Sequence, residues 1–302
     1  MPPLNRDNYH FTDHCLAFQI EAQDIKGRII RLDNPLNELL AKQDCPDNVK
    51  ALLGQAMVLT ALLGSMMKYE GILTLQIKSD GRVKSLVSDF STDGNAAGVV
   101  RGYAQLTENT STDRPVLGNG QLMITIDQGQ YMDRYQGVVK LLDNSLKKSA
   151  EEYFHSSEQL PTSVMISCDQ DAEGRWTAGA LMIQHLARNT EDDLANIITD
   201  NKQQDDWTTA TILLSSLKNS ELLDSKLSLQ DILLRLYHES GVRLFTARQI
   251  LSGCRCSDEK LRNVLASFDT QELRHMAKEG LITITCEFCK TDHRFELKKL
   301  IN

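Results

Sequence analysis

Along the first 185 residues, apolar side chains recur mostly at every second position, the period of a strand with one buried face. Leu73, Leu75 and Ile77 alternate with Thr74, Gln76 and Lys78, and Asp80-Gly81 turns the chain toward a second strand starting near Val83. Residues 17–32 read as two strands around Asp24-Ile-Lys-Gly27. Leu122, Ile124 and Ile126 repeat the pattern before Gln128-Gly129, and Leu117-Gly-Asn-Gly120 reads as the turn ahead of them. Val164, Ile166 and Cys168 do so again before a turn at Gly174, with Trp176 to Ile183 returning. Two segments break the period. Residues 51–67 are apolar nearly throughout, and 144–157 read as a helix stopped before Pro161. The first is 17 residues long and carries Gln55, Thr60 and Ser65, so a buried helix is expected rather than a membrane span. Asp47 or Asn48 can cap its start, and Gly71 lies beyond its end. Hairpins with few helices predict an α+β domain over residues 1–187 rather than a doubly wound sheet.

The pattern then changes. Residues 189–206 hold six acids (Glu191, Asp192, Asp193, Asp200, Asp205, Asp206) against Lys202, with much Asn and Gln, and read as a polar tether. Ile212, Leu213, Leu214 and Leu217 recur at helical spacing, as do Ile232, Leu233, Leu236 and Tyr237. Residues 188–240 are therefore expected to be a tether followed by amphipathic helices that dock on something, and 241–302 a small separate domain. Within the latter, Ser257 can cap a helix through Leu265. Asp269 or Thr270 can cap another ending at Gly280, and 281–285 read as a strand.

Charge narrows the function. The 302 residues hold 33 Lys plus Arg and 41 Asp plus Glu, a formal net charge of −8, and aromatics are 6%. Phosphate binding needs a basic surface, so no nucleic-acid partner is expected. There is no GxxxxGK[ST] segment for ATP. The opening residues lack the apolar stretch of a signal peptide, and no membrane association is expected.

The cysteines carry the strongest chemical signal. Of seven, Cys15, Cys45 and Cys168 are isolated, whereas Cys254-Arg-Cys256 and Cys286-Glu-Phe-Cys289 form two close pairs separated by 29 residues (257–285). The uneven spread does not suit a secreted disulfide scaffold, so a reducing, cytoplasmic setting is expected. Two short pairs flanking a small folded insert supply the four donors of tetrahedral zinc; thiolate ligation alone also allows iron–sulfur. A four-cysteine shell leaves no open position, so no catalytic metal and no enzyme are expected. One residue between the first pair is unusually tight, and a disulfide there would be strained and easily reduced, which suits a reversible switch. Arg255, Lys260 and Arg262 lie near enough in sequence to favour thiolate.

The two pairs resemble the redox centre of the 33-kilodalton heat-shock family, the redox-regulated bacterial chaperones. Tyr135-Gln-Gly-Val-Val139, Tyr153-Phe154, Ser157-Glu-Gln-Leu-Pro-Thr162, Arg235-Leu-Tyr-His-Glu239 and Cys286-Glu-Phe-Cys289 fit the same family in order. The resemblance implies a holdase that is inactive when reduced, with one zinc ion per chain on Cys254, Cys256, Cys286 and Cys289. It further implies activation through the disulfides Cys254–Cys256 and Cys286–Cys289 with loss of zinc, a homodimer when active, and unfolded or oxidatively damaged proteins as partners. His293 departs from the pattern, standing where a tyrosine is expected.

Other candidates are weaker. His293, four residues after Cys289, is an alternative ligand, and His275 reads as a surface helix residue. His10 and His14 beside Cys15 suggest Cys–His nucleophilic catalysis only superficially, since no orienting third group accompanies them. Cys168 reads as core and Cys45, before Pro46, as loop. Two competing readings remain at this level. One is a nucleic-acid-binding or translation-related zinc module, against which stand the −8 overall and the nine bases and eight acids from Cys254 onward. The other is a thiol–disulfide oxidoreductase built on Cys286-x-x-Cys289, which wants its first cysteine at a helix N-terminus.

Overall fold

The computed structural model describes residues 12–94, 97–108, 114–129, 133–185 and 193–301, and for 193–203 the backbone alone. His10, Glu191 and Asp192 lie outside the described residues. The chain divides into two compact units, Met1–Ser252 and Gly253–Asn302.

The first unit is α+β, as its pattern predicts. Eleven strands form one sheet: β1 (His14–Ile20), β2 (Ile25–Leu32), β3 (Gly71–Ser79), β4 (Val83–Thr92), β5 (Ala97–Leu106), β6 (Gly120–Asp127), β7 (Tyr135–Lys140), β8 (Thr162–Gln170), β9 (Trp176–His185), β10 (Val242–Leu244) and β11 (Arg248–Ser252). Their order is β7-β6-β3-β4-β5-β11-β1-β2-β9-β8, with β10 beside β1. All pairings are antiparallel except β11 with β5, where Leu251 faces Val99. Strand β11 joins β7-β6-β3-β4-β5 to a second half of β1-β2-β9-β8 with β10 beside β1, so the strands within 242–252 belong to the sheet. The expected boundary at 241 moves to Ser252/Gly253. The strands themselves supply the reason: Ile250 is fully buried in the sheet's core.

The first hairpin turns earlier than its glycine suggests. The chain reverses at Glu21–Asp24, and Gly27 lies inside β2 opposite Phe18, whose ring occupies the space a Cβ would need. Helix α1 (Asn34–Leu40) precedes α2 (Asp47–Gly64), which fulfils the buried-helix expectation. Val49, Leu53, Ala56, Met57, Leu59 and Leu62 are all buried against the sheet. Its N-cap is Pro46, so Asp47 and Asn48 sit inside the first turn rather than capping it. Among the described residues, no helix is long and apolar enough to cross a membrane. Cys168 is core, as expected, with its Sγ filling the gap left by Gly54 of α2. Cys15 is also buried and meets the Ser65 hydroxyl at 3.1 Å. It alternates with His14 on β1, so the two point to opposite faces and form no Cys–His pair.

Helix α3 (Leu146–Tyr153), capped by Ser145, continues as a π-helical turn through Glu158. The tether expectation is replaced by helix α4 (Asp193–Ser216), followed by α5 (Asn219–Leu223) and α6 (Leu229–Tyr237). Their docking surface is the sheet. Ala210, Leu214, Leu217, Leu222, Leu229, Ile232, Leu233 and Tyr237 form one buried cluster with Leu16, Phe18, Ile20, Ile25, Ile29, Leu181 and Ile183. Ile212, counted among the apolar positions of this helix, is exposed.

The second unit holds α7 (Asp258–Leu265), α8 (Thr270–Met276) and a hairpin of β12 (Leu281–Thr285) with β13 (Asp292–Glu296). Ser257 caps α7, and Asp269 with Glu272 forms a capping box on α8. Helix α8 stops at Met276, four residues short of Gly280, because Ala277 is already extended and Lys278 bridges to Leu281.

Candidate metal centre

Two local structures present the four thiols. Cys254 and Cys256 lie in the non-helical segment between β11 and the cap of α7. Cys286 and Cys289 lie in the turn joining β12 to β13. That turn is tied by Cys286 N donating to Thr291 O at 2.9 Å and Lys290 N donating to Cys286 O at 2.8 Å. Lys290 closes it with a φ of 55°, a left-handed conformation. The backbone N–H groups of Phe288 and Cys289 point at the Cys286 sulfur.

All four Sγ atoms lie within 4.8 Å of one another, with Cys254 to Cys286 at 3.6 Å and Cys256 to Cys289 at 3.5 Å. These distances are far beyond a sulfur–sulfur bond of about 2.05 Å. They match four sulfurs at about 2.3 Å from a central ion, whose tetrahedral edges would be about 3.8 Å. All four side chains are half-buried. Burial pushes the Cys256 and Cys286 thiols up. At Cys289 the same effect is outweighed by the Thr291 hydroxyl (3.3 Å away), the Thr291 N–H and the neighbouring thiols, which bring it down to about 6. Crowded thiols with mixed proton affinities are what a dication resolves, since it favours thiolate at every donor. The residues therefore fit a structural zinc ion.

The remaining candidates fall elsewhere. His293 Nδ1 lies 2.6 Å from Asp258 Oδ1, linking β13 to α7, and is not in the thiol cluster. His275 is exposed on α8. Lys260 Nζ donates to the Arg255 carbonyl at 3.2 Å and Arg262 stacks over Phe295, so neither side chain is directed to the thiols. Cys286 follows a strand, not a helix N-terminus, which removes the geometric basis for an oxidoreductase.

Sequence reasoning missed Thr291. A β-branched hydroxyl residue two positions after a cysteine pair carries no general signal, and only the tight turn reveals its contact with Cys289. The motif residues Tyr153 and Tyr237 prove to be packing elements. Tyr153 contacts Phe154 edge-on and bonds Glu158 at 3.0 Å, while Tyr237 stacks on Phe18 and donates to the Ala210 carbonyl.

Comparison with known proteins agrees with this architecture. The family model described as "Hsp33 protein" matches residues 13–296. A 33 kDa chaperonin of Caulobacter vibrioides (strain NA1000 / CB15N) is 37% identical over 306 residues, spanning 98% of this chain and 99% of the relative. One of Pseudoalteromonas translucida is 33% identical, spanning 92% and 94%. The crystal structure of the 33 kDa chaperonin, a heat shock protein 33 homolog, from Thermotoga maritima superposes with a TM-score of 0.77 at 22% identity, covering 95% of this chain and 96% of that one. With its curled, largely antiparallel sheet, its docked helices and its C-terminal cluster of four cysteines, this chain belongs to the Hsp33 chaperone family.

Proposed function

We propose that the protein is an ATP-independent holdase switched by oxidation of its four-cysteine centre. The observation that carries the reading is the thiol cluster inside a unit whose fully buried apolar core, among the described residues, is Leu265, Leu273, Ile282 and Phe295. A unit of about 50 residues with so small a core needs a staple. A structural zinc ion supplies about 10–16 kcal/mol of apparent binding energy that is also folding energy, comparable with the whole stability of an ordinary domain.

In the reduced state, Cys254, Cys256, Cys286 and Cys289 would each donate a thiolate to one zinc. Hydrogen peroxide takes two electrons from a pair of thiolates and two protons from solvent and leaves as two water molecules, so two equivalents would convert the four sulfurs to Cys254–Cys256 and Cys286–Cys289. The donor set is then gone and the small unit loses its staple. Release of α4–α6 would bare Leu16, Phe18, Ile20, Ile25, Ile29, Leu181 and Ile183, an apolar surface fit to hold unfolded or oxidatively damaged clients. Dimerisation of the active form and a cytoplasmic setting, where thiols stay reduced until stress, belong to the same reading. The work is binding, not catalysis. The second unit is near neutral, with nine bases against eight acids from Cys254 onward, which does not favour the nucleic-acid alternative.

The test is aggregation of a denatured reporter protein with zinc and free thiols counted in parallel. The reduced form should hold one zinc and suppress little. After peroxide with mild heating, zinc should leave, four thiols should disappear and suppression should rise.

A further inference from the structure

Helices α4–α6 meet the sheet mainly through apolar side chains, five of the eight in the buried cluster being leucines. Apolar contact is non-directional, so it covers the face without fixing where the helices sit. One polar group does fix it. Arg31 on β2 is 2% exposed, and its Nε donates to the Leu222 carbonyl at 2.8 Å. Nη1 donates to the Leu227 carbonyl at 2.8 Å and Nη2 to the Glu221 carbonyl at 3.5 Å.

Glu221 and Leu222 lie in the last turn of the five-residue helix α5 (Asn219–Leu223), where carbonyls have no partner within the helix. Leu227 stands just before the cap of α6. One planar guanidinium thus joins the end of one helix to the start of the next, using the fork geometry that a lysine lacks. Asp224, in the same connection, provides the favourable countercharge.

The neighbouring strand completes the arrangement. Arg31 faces Gly179 of β9 across the ladder. A Cβ on Gly179 would lie 2.7 Å from Leu222 Cγ, so the fully buried Leu222 side chain sits directly on the glycine while its carbonyl is held by Arg31. The pair forms a socket that grips one residue by both its side chain and its backbone.

We infer that Arg31 and Gly179 are the latch that fixes α5 and α6 on the sheet and sets how readily the apolar face beneath them is uncovered. The latch is read from geometry alone; its consequence for client binding rests on the holdase reading. Removing the guanidinium strands three carbonyls at a buried site, a loss that falls on the docked state and not on the released one. Both residues act as positioning residues, holding the linker rather than touching metal or client.

The experiment is hydrogen exchange by mass spectrometry on the full, reduced, zinc-loaded chain. Arg31→Met and Gly179→Ala reach the socket from different strands, so one remains informative should the other fold poorly. Each should raise exchange across residues 219–237 at least tenfold. Amides of 25–30 and 180–183 should stay protected and zinc should stay at one per chain, with Arg31→Lys falling between wild type and Arg31→Met. Unchanged exchange over 219–237 in both variants overturns the latch, as does exchange that rises equally in β2 and β9. Should the linker open in both variants while the reduced protein still fails to suppress aggregation, the latch stands and the holdase reading falls.

Discussion

Met1–Ser252 and Gly253–Asn302 solve the folding problem in opposite ways. The larger unit wraps an eleven-stranded sheet around α2 and covers part of it with α4–α6, so its stability is spread over two large buried clusters. The smaller has four buried apolar side chains and four thiols. Packing of the first kind, above all the cluster around α2, has no single chemical feature whose loss would undo it. A fold that depends on thiolates gripping one ion can be undone by two disulfides. On the proposed reading, the sensor lies where stability is concentrated in one chemical feature, and the client surface where stability is distributed.

Removing the metal should break the two units apart most sharply. A strong chelator added to the reduced chain should unfold 253–302 alone, a loss on the order of 10 kcal/mol. Nuclear magnetic resonance should show amide dispersion collapsing there and persisting in the sheet; a dispersed spectrum for both units would void the comparison. Next, Leu53→Ala, at a fully buried site on α2, should cost the larger unit about 2–5 kcal/mol by urea unfolding and leave zinc content unchanged. Thr291→Val removes the hydroxyl 3.3 Å from Cys289 Sγ and should weaken zinc binding about 10–100-fold in a chelator competition. Wild-type affinity in that variant would discard Thr291 as a supporting residue. The smallest effect is expected at His293→Gln, which loosens the link to Asp258. It should lower the stability of the zinc-loaded small unit by about 1 kcal/mol in thermal unfolding, without loss of metal.

Much of this was legible in the chain, and the failures have physical causes. The alternation of Leu73, Leu75 and Ile77 reports a half-buried face directly, and Ser257 and Asp269 mark helix starts because their oxygens satisfy orphan N–H groups. The cysteine pairs stand out because few residue types can do their chemistry. Strand β5 escapes notice because Gly98 and Gly102 dilute its pattern, and β11 because its partners lie about 150 and 230 residues away in sequence. The acids of 193–206 suggest a tether, yet Ala210, Leu214 and Leu217 further along the same helix anchor it. The Arg31 socket was invisible, since backbone carbonyls as acceptors leave no residue signature.

The most direct test joins metal, thiols and client binding in one sample: zinc per chain, free thiols and reporter aggregation, followed together through a peroxide titration. The account predicts that zinc leaves in step with four thiols and that suppression rises along the same curve. Fully oxidised, zinc-free protein that suppresses no better than the reduced form would contradict it.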